Sequence, residues 1–316
     1  MTDHTPILLS ISSGSQSADR VLQELISIFE LRFPGRIRAY YAEGSYADRT
    51  AIATSDIDLV LIFKHRFVDE DEAGAARQLG AYCASLSAFE LDLEIIDEQH
   101  AARSAFPTLK LASVLLYGED IRDQLPLPPI GEWTRDRMHV AYWLIVQVFN
   151  RPPVVRYPLG YPRPDEMFFG YDQRMLRLPD GSRARCTRDL VRVTGWAATA
   201  LIALRTGTYV VRKRDCHQRY HELIGDQWSE LLRVIYERCK HEWSYRIPES
   251  PADQSALCAI CMHTLEFENH FLRVFKEFVL SELRGDDAEA RRAAVWLLGQ
   301  IPYHDDEIEQ ALYAIV

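Results

Sequence analysis

The sequence predicts an α+β chain: a small mixed sheet with helices against it, followed by an all-α helical half. Three observations carry that expectation. Helix-like and strand-like segments alternate up to about residue 130, the apolar period becomes mostly helical from Gly131 onward, and the run Leu59-Val60-Leu61-Ile62-Phe63 marks a buried strand in the first half.

The elements follow in order. Asp19 to Phe33 carries apolar residues at Val21, Leu22, Leu25, Ile26 and Phe29, the spacing of an amphipathic helix stopped by Pro34-Gly35. A strand is expected over Arg36 to Ala42, turning sharply at Gly44, then a short helix and a second strand over Asp56 to Phe63. A helix over Glu70 to Leu86 and a third strand over Phe89 to Ile96 complete the first half. Beyond it, Arg151 to Asp180 is dense in Pro, Gly, Arg and aromatics and reads as a long connection. Helices are expected over Thr187 to Arg205, Asp215 to Lys240 and Asp253 to Leu283, and the tail reads as a HEAT-like helical hairpin broken at Pro302. The expected organisation is therefore a sheet domain at 1–130, a helical domain at 131–284 and a hairpin cap at 285–316.

Composition narrows the function class. The chain has 316 residues, 47% of them hydrophobic, enough for two cores. No apolar run approaches the roughly 20 residues of a membrane span, and Met1-Thr2-Asp3-His4 lacks the basic start of a signal peptide, so a cytoplasmic protein is expected. Cysteines at 83, 186, 216, 239, 258 and 261 are too sparse for a disulfide scaffold and read as reduced thiols. A net charge of −10 argues against a general nucleic-acid binder. That average hides a pattern: residues 131–220 hold 16 Lys plus Arg against 8 Asp plus Glu, whereas 221–316 hold 9 against 18. A basic middle beside acidic ends suits a protein that grips a triphosphate and attracts a cationic substrate, as well as an ordinary solvated surface.

The chemistry is concentrated between Gly44 and Leu61. Successive strand side chains alternate faces, so Asp56 and Asp58 project together, and two neighbouring carboxylates suit a magnesium ion carrying a nucleoside triphosphate. Gly44 lets the backbone approach a phosphate closely, and the Ser45 hydroxyl adds a donor. In the third strand Glu90, Asp92 and Glu94 share one face, an arrangement that is unfavourable unless a cation sits opposite. One of the three could meet the Asp56–Asp58 pair and there bridge a metal or accept a proton, and the spacing does not choose among them. Cys258, Cys261 and His263 look like half a zinc site, but inside an apolar helix with no second pair. His217 and His221 lack the Glu of a zinc-protease motif, and Trp133, Trp196 and Tyr161 read as core aromatics that could instead stack on a ring.

The stretch Gly44-Ser45 to Leu59, with Ser55-Asp56-Ile57-Asp58-Leu59, resembles the DNA polymerase β-like nucleotidyltransferase superfamily. Within it the chain is most similar to the aminoglycoside adenylyltransferases that act on streptomycin and spectinomycin. The segment Leu115 to Arg122 and the helix from Asp189 to Arg205-Thr206-Gly207 extend the likeness over most of residues 37–240. The resemblance implies a nucleotidyltransferase domain followed by a helical domain that closes over the nucleotide, with ATP as co-substrate and two magnesium ions. It implies Asp56 and Asp58 as metal ligands and Asp92 as the third carboxylate, where many relatives carry Glu, so Asp92 is either general base or metal ligand. It implies a triphosphate contact from Lys213, with Arg212 or Arg214 as substitutes in a turn about one residue longer than the family's, and a contact from Asp189 to a cationic acceptor. A helix N-terminal carboxylate favoured by the helix dipole is the plainer reading of Asp189. The expected activity is AMP transfer from ATP to a hydroxyl of a small cationic acceptor such as an aminoglycoside. The alternatives are transfer to RNA or protein, as in toxin–antitoxin systems, and a non-catalytic nucleotide-binding scaffold.

Overall fold

The computed structural model describes residues 7–104, 106–178 and 181–315, leaving out the side chain of Lys213. The chain forms two compact units, residues 1–128 with 211–214, and residues 129–210 with 215–316. Among the described residues no helix is long and apolar enough to cross a membrane.

The first unit opens with α1, Gln16–Arg32, capped by the Ser15 side chain on the Ala18 amide and burying Leu22, Leu25, Ile26 and Phe29 at helical spacing. Then come β1 (Ile37–Glu43), the single turn α2 (Gly44–Ala47), β2 (Ile57–Phe63), α3 (Glu70–Leu86) and β3 (Leu91–Asp97). Two short helices, α4 (Glu98–Arg103) and α5 (Pro107–Ala112), lead to β4 (Val114–Gly118), a fourth strand beyond the three the sequence suggested. The sheet order is β3-β2-β1-β4, with β1 antiparallel to both its neighbours and β2 parallel to β3. A parallel pair needs a crossover, and α3 supplies it. One sheet face carries Tyr40, Ala42, Leu59, Leu61 and Ile95 in a core shared with residues of α1 and α3. The other carries Ala39, Tyr41, Val60, Ile62 and Ile96, packed with Ala101 and Leu109 of α4 and α5. The carboxylates Asp56 and Asp58 belong to this second face, at the end of the strand where the apolar run has not yet begun.

The second unit is mainly helical: α6 (Ile130–Gln147), a long connection containing β5 (Val155–Arg156), β6 (Arg174–Arg177) and β7 (Arg183–Cys186), then α7 (Arg188–Thr206) and α8 (Lys213–Leu223). The helix expected over Asp215 to Lys240 breaks at Gly225, which sits at φ +65°, and resumes as α9 (Ser229–Val234) and a π-helix, Ile235–Glu242. The longest element, α10 (Pro251–Arg284), begins at the Ser250 cap with proline in its first turn, and buries Leu257, Ile260, Cys261, Thr264, Phe267, Phe271, Phe275 and Val279 along one stripe. The long connection is tied down internally: Arg151 Nη2 and Tyr171 Oη both donate to Glu268 Oε2, at 2.6 and 2.7 Å, fully buried.

The tail contributes α11 (Ala288–Gln300), β8 (Tyr303–His304) and α12 (Asp306–Tyr313). Its Leu297, Leu298, Ile301 and Ile308 lie in the same core as the α10 stripe, and β8 pairs with β5. A hairpin of this size cannot bury its own apolar face, so residues 285–316 complete the second unit's core. All six cysteines are free thiols.

Candidate active site

The site is built at one end of β1, β2 and β3 in the first unit. Glu43 ends β1 in extended conformation, and the chain then turns at Gly44, whose φ is +63°. A left-handed residue is needed there, and so is the absence of a side chain: a Cβ on Gly44 would lie 2.2 Å from Asp58 Oδ2. The turn is closed by the Asp48 amide on the Gly44 carbonyl (3.0 Å) and the Thr50 amide on the Ser45 carbonyl (2.9 Å). The Asp58 carboxylate is thus packed directly against the backbone of the Gly-Ser turn.

Ser45 carries the next observation. Its hydroxyl is buried and has no hydrogen-bond partner among the described residues. A buried hydroxyl without a partner costs about 1–3 kcal/mol, so an acceptor for it is expected when the site is filled.

The loop before β2 is set by Ser55. Its hydroxyl accepts from the Ile52 amide at 3.0 Å, and its own amide donates to the Ile52 carbonyl at 2.9 Å. That closed loop delivers Asp56 to the position just before β2, and the Ile57 amide then donates to the Glu90 carbonyl at 2.9 Å. Tyr46, buried under the turn, has its phenol pushed up by burial, with the Asp56 charge adding to the effect. The phenol therefore stays protonated beside Asp56.

Strand register brings the acids together. Asp58 pairs with Asp92 across the parallel β2–β3 ladder, and with Glu43 across the antiparallel β1–β2 ladder. Glu43, Asp58 and Asp92 therefore form one row over three neighbouring strands, with Asp56 one step along the same face. Of the three acids the third strand offered, Asp92 is the one level with Asp58, whereas Glu94 pairs level with Val60. Asp56 and Asp58 are half-buried and Asp92 is exposed. Among the described residues no group of three or more His, Cys, Asp or Glu side chains is placed to hold a metal ion. The arrangement is a row of hard oxygen donors, which suits magnesium, since that ion takes one or two carboxylates and fills the rest of its shell with phosphate and water. Like charges directly opposite on a sheet repel, and a cation would relieve them.

Glu43 was not singled out from the sequence. Its place follows from register alone: in the observed antiparallel pairing of β1 with β2, Glu43 lies opposite Asp58.

The basic turn after α7 returns to the first unit for residues 211–214. Arg212 Nη1 lies 3.4 Å from Asp48 Oδ1, Arg214 Nε lies 3.9 Å from the same oxygen, and Arg214 Nη1 donates to the Asp48 carbonyl at 2.8 Å. Lys213, the residue expected to touch the triphosphate, opens α8, and its side chain lies outside the described residues.

The remaining sequence candidates fall in the second unit. Asp189 is buried in the first turn of α7 and ion-paired to Arg174 at 3.1 Å, so any acceptor contact would have to compete with that guanidinium. Trp133 and Trp196 sandwich the Arg137 guanidinium at 4.2 and 4.1 Å, and Tyr161 stacks on Phe169 at 4.2 Å. Cys261 is buried in the α10 stripe while the Cys258 thiol donates to the Met167 carbonyl, so the two sulfurs serve packing.

No family profile matches the chain, and no curated protein matches it in sequence. A candidate nucleotidyltransferase from Sulfolobus solfataricus aligns with 35% of this chain and 91% of its own, at TM-score 0.26 and 19% identity. The crystal structure of spectinomycin adenyltransferase AAD(9) from Enterococcus faecialis, with ATP and spectinomycin, aligns with 80% of this chain and 98% of its own, at TM-score 0.46 and 12% identity.

Proposed function

We propose that the chain is a magnesium-dependent nucleotidyltransferase that moves AMP from ATP to a hydroxyl of a small cationic acceptor such as an aminoglycoside. The observation that carries the reading is the packing of Gly44 against Asp58, within a row of carboxylates in register, with the unsatisfied Ser45 hydroxyl next in the chain. Donors for phosphate and oxygens for a metal are side by side, the two requirements of nucleotidyl transfer.

In this reading Ser45 Oγ–H donates to a phosphate oxygen, and the open backbone at Gly44 allows that approach. Asp56 and Asp58 would hold magnesium, which when bound neutralises charge on the phosphates. Asp92, level with Asp58 and exposed, takes the proton of the acceptor hydroxyl or supplies a further metal oxygen. The acceptor oxygen forms its bond to the α-phosphorus, the bond to the bridging oxygen breaks, and pyrophosphate leaves with the electron pair. Lys213 would contact the triphosphate, and Asp189 the acceptor.

A second acceptor class is favoured by one surface. The outward face of the β6–β7 ribbon presents Met175, Arg177, Arg183 and Arg185, all exposed, with Arg177 directly opposite Arg183. Arg185 is ion-paired to Glu166 at 2.9 Å, so an RNA acceptor, which this face suits better than an aminoglycoside, would have to compete with that carboxylate.

The test is incubation with ATP labelled on the α-phosphate, magnesium, and in parallel an aminoglycoside panel, total RNA or a cell lysate. Label in an aminoglycoside supports the leading reading and label in RNA the second. A protein that does not bind Mg-ATP at all sinks both and leaves a scaffold role. Ser45→Ala is expected to raise the KM for nucleotide about 10-fold, the scale of one charge-assisted hydrogen bond, without lowering the thermal midpoint. An unchanged KM in steady-state assays would remove Ser45 from the triphosphate site.

A further inference from the structure

We infer that Asp48 is a positioning residue for the nucleotide: it docks the basic strap Arg212-Lys213-Arg214 beside the Gly44–Ala47 turn before any phosphate arrives. The inference rests on the nucleotidyl-transfer reading above and assigns a role to a carboxylate outside the metal row.

Asp48 follows α2 directly, and its amide closes the turn that carries Gly44 and Ser45. Its side chain is only 5% exposed. A carboxylate buried that deeply needs opposite charge, and here both flanking residues of the strap provide it, Arg212 and Arg214 approaching the same Oδ1. Arg214 adds a charge-assisted bond to the Asp48 backbone, so the contact holds the strap at two points.

Position gives the contact its purpose. Arg212 and Arg214 bring two guanidiniums to the turn that carries Gly44 and Ser45. The carboxylate row at Glu43, Asp58 and Asp92 is of the opposite sign. A polyphosphate with its metal matches both: anionic oxygens toward the strap, the cation toward the row. Guanidiniums already fixed at the turn need not be ordered when the nucleotide binds, so the ordering cost is met during folding and affinity rises. A carboxylate that merely capped the turn would need no arginine from a segment 166 residues away.

The test is a double-mutant cycle read by calorimetric titration of Mg-ATP, with tripolyphosphate in the absence of metal as a second ligand. Asp48→Asn is expected to raise both dissociation constants about 10-fold, and the pair Arg212→Gln, Arg214→Gln to do at least as much. Adding Asp48→Asn to that pair should then change little, because the carboxylate acts through the arginines. Manganese binding followed by paramagnetic resonance should stay at the wild-type value in all variants, since the metal row is untouched. Additive effects, or wild-type affinity in Asp48→Asn, would overturn the inference. Should Asp48→Asn fail to fold, wild-type affinity in the arginine pair alone overturns it. Wild-type protein that binds neither ligand sinks the transfer reading itself, a different result from wild-type binding with additive variants.

Discussion

Asp58→Asn is expected to lower nucleotidyl transfer about 1000-fold while leaving the fold as stable as before. The activity figure follows from the several kcal/mol that a metal contributes to charge stabilisation in the transition state, at a factor of 10 for each roughly 1.4 kcal/mol. Asn keeps the shape of the side chain but loses the charge that would hold the ion. The stability half of the expectation comes from shape: Asn is isosteric with Asp, so the packing of this side chain against Gly44 is kept. Steady-state rates with labelled ATP and thermal denaturation in metal-free buffer check the two halves separately. Wild-type turnover in this variant would sink the mechanism; an inactive variant with a much lower thermal midpoint would mean that Asp58 serves the fold.

Gly44→Ala should harm both turnover and stability. At φ +63° an alanine costs about 1–2 kcal/mol in backbone energy alone. Its Cβ would also fall 2.2 Å from Asp58 Oδ2, so the carboxylate must swing away from its place in the row. Misplacement of a reacting group by about 1 Å costs on the order of 100-fold in rate, which sets the expected loss of activity. Gly35 provides the control: its φ is +68°, yet nothing lies within 4 Å of where its Cβ would be. Gly35→Ala is therefore expected to lose a similar 1–2 kcal/mol by denaturant titration with turnover unchanged. Equal activity in the two alanine variants would show that the close approach to Asp58 has no catalytic weight.

The parts of this arrangement that were legible in the sequence are the local ones. Alternation alone put Asp56 and Asp58 on one side of a strand, and the helix from Glu70 to Leu86 has the bounds its apolar spacing suggested. The third strand's three acids on one face were also readable, but which of them meets Asp58 was not, because parallel register depends on how the crossover returns. Val114 to Gly118 is a strand of only five residues, too short for a clear alternation, and it pairs at the sheet's edge with β1. The docking of Arg212 and Arg214 on Asp48 was illegible for a different reason. A charge pair between segments so distant in sequence leaves no periodic trace in either, and three basic residues in a row look like any solvated turn. The π-helix from Ile235 to Glu242 shares its residue preferences with ordinary helix and gave no signal of its own.

The parallel pairing of β2 with β3 also dictates where this chain can change length. Ile95 and Ile96 point into cores on opposite sheet faces, which locks the far end of β3 in place. One residue added between Asp92 and Ile95 would therefore leave the isoleucines seated and rotate Asp92 onto the face covered by α3, out of line with Asp58. The same residue added between Leu86 and Phe89, after α3 ends, would be absorbed by the connection. Natural variants of this protein should thus gain and lose residues freely between Leu86 and Phe89 and almost never between Leu91 and Ile95, a boundary drawn by the pleat of a single strand.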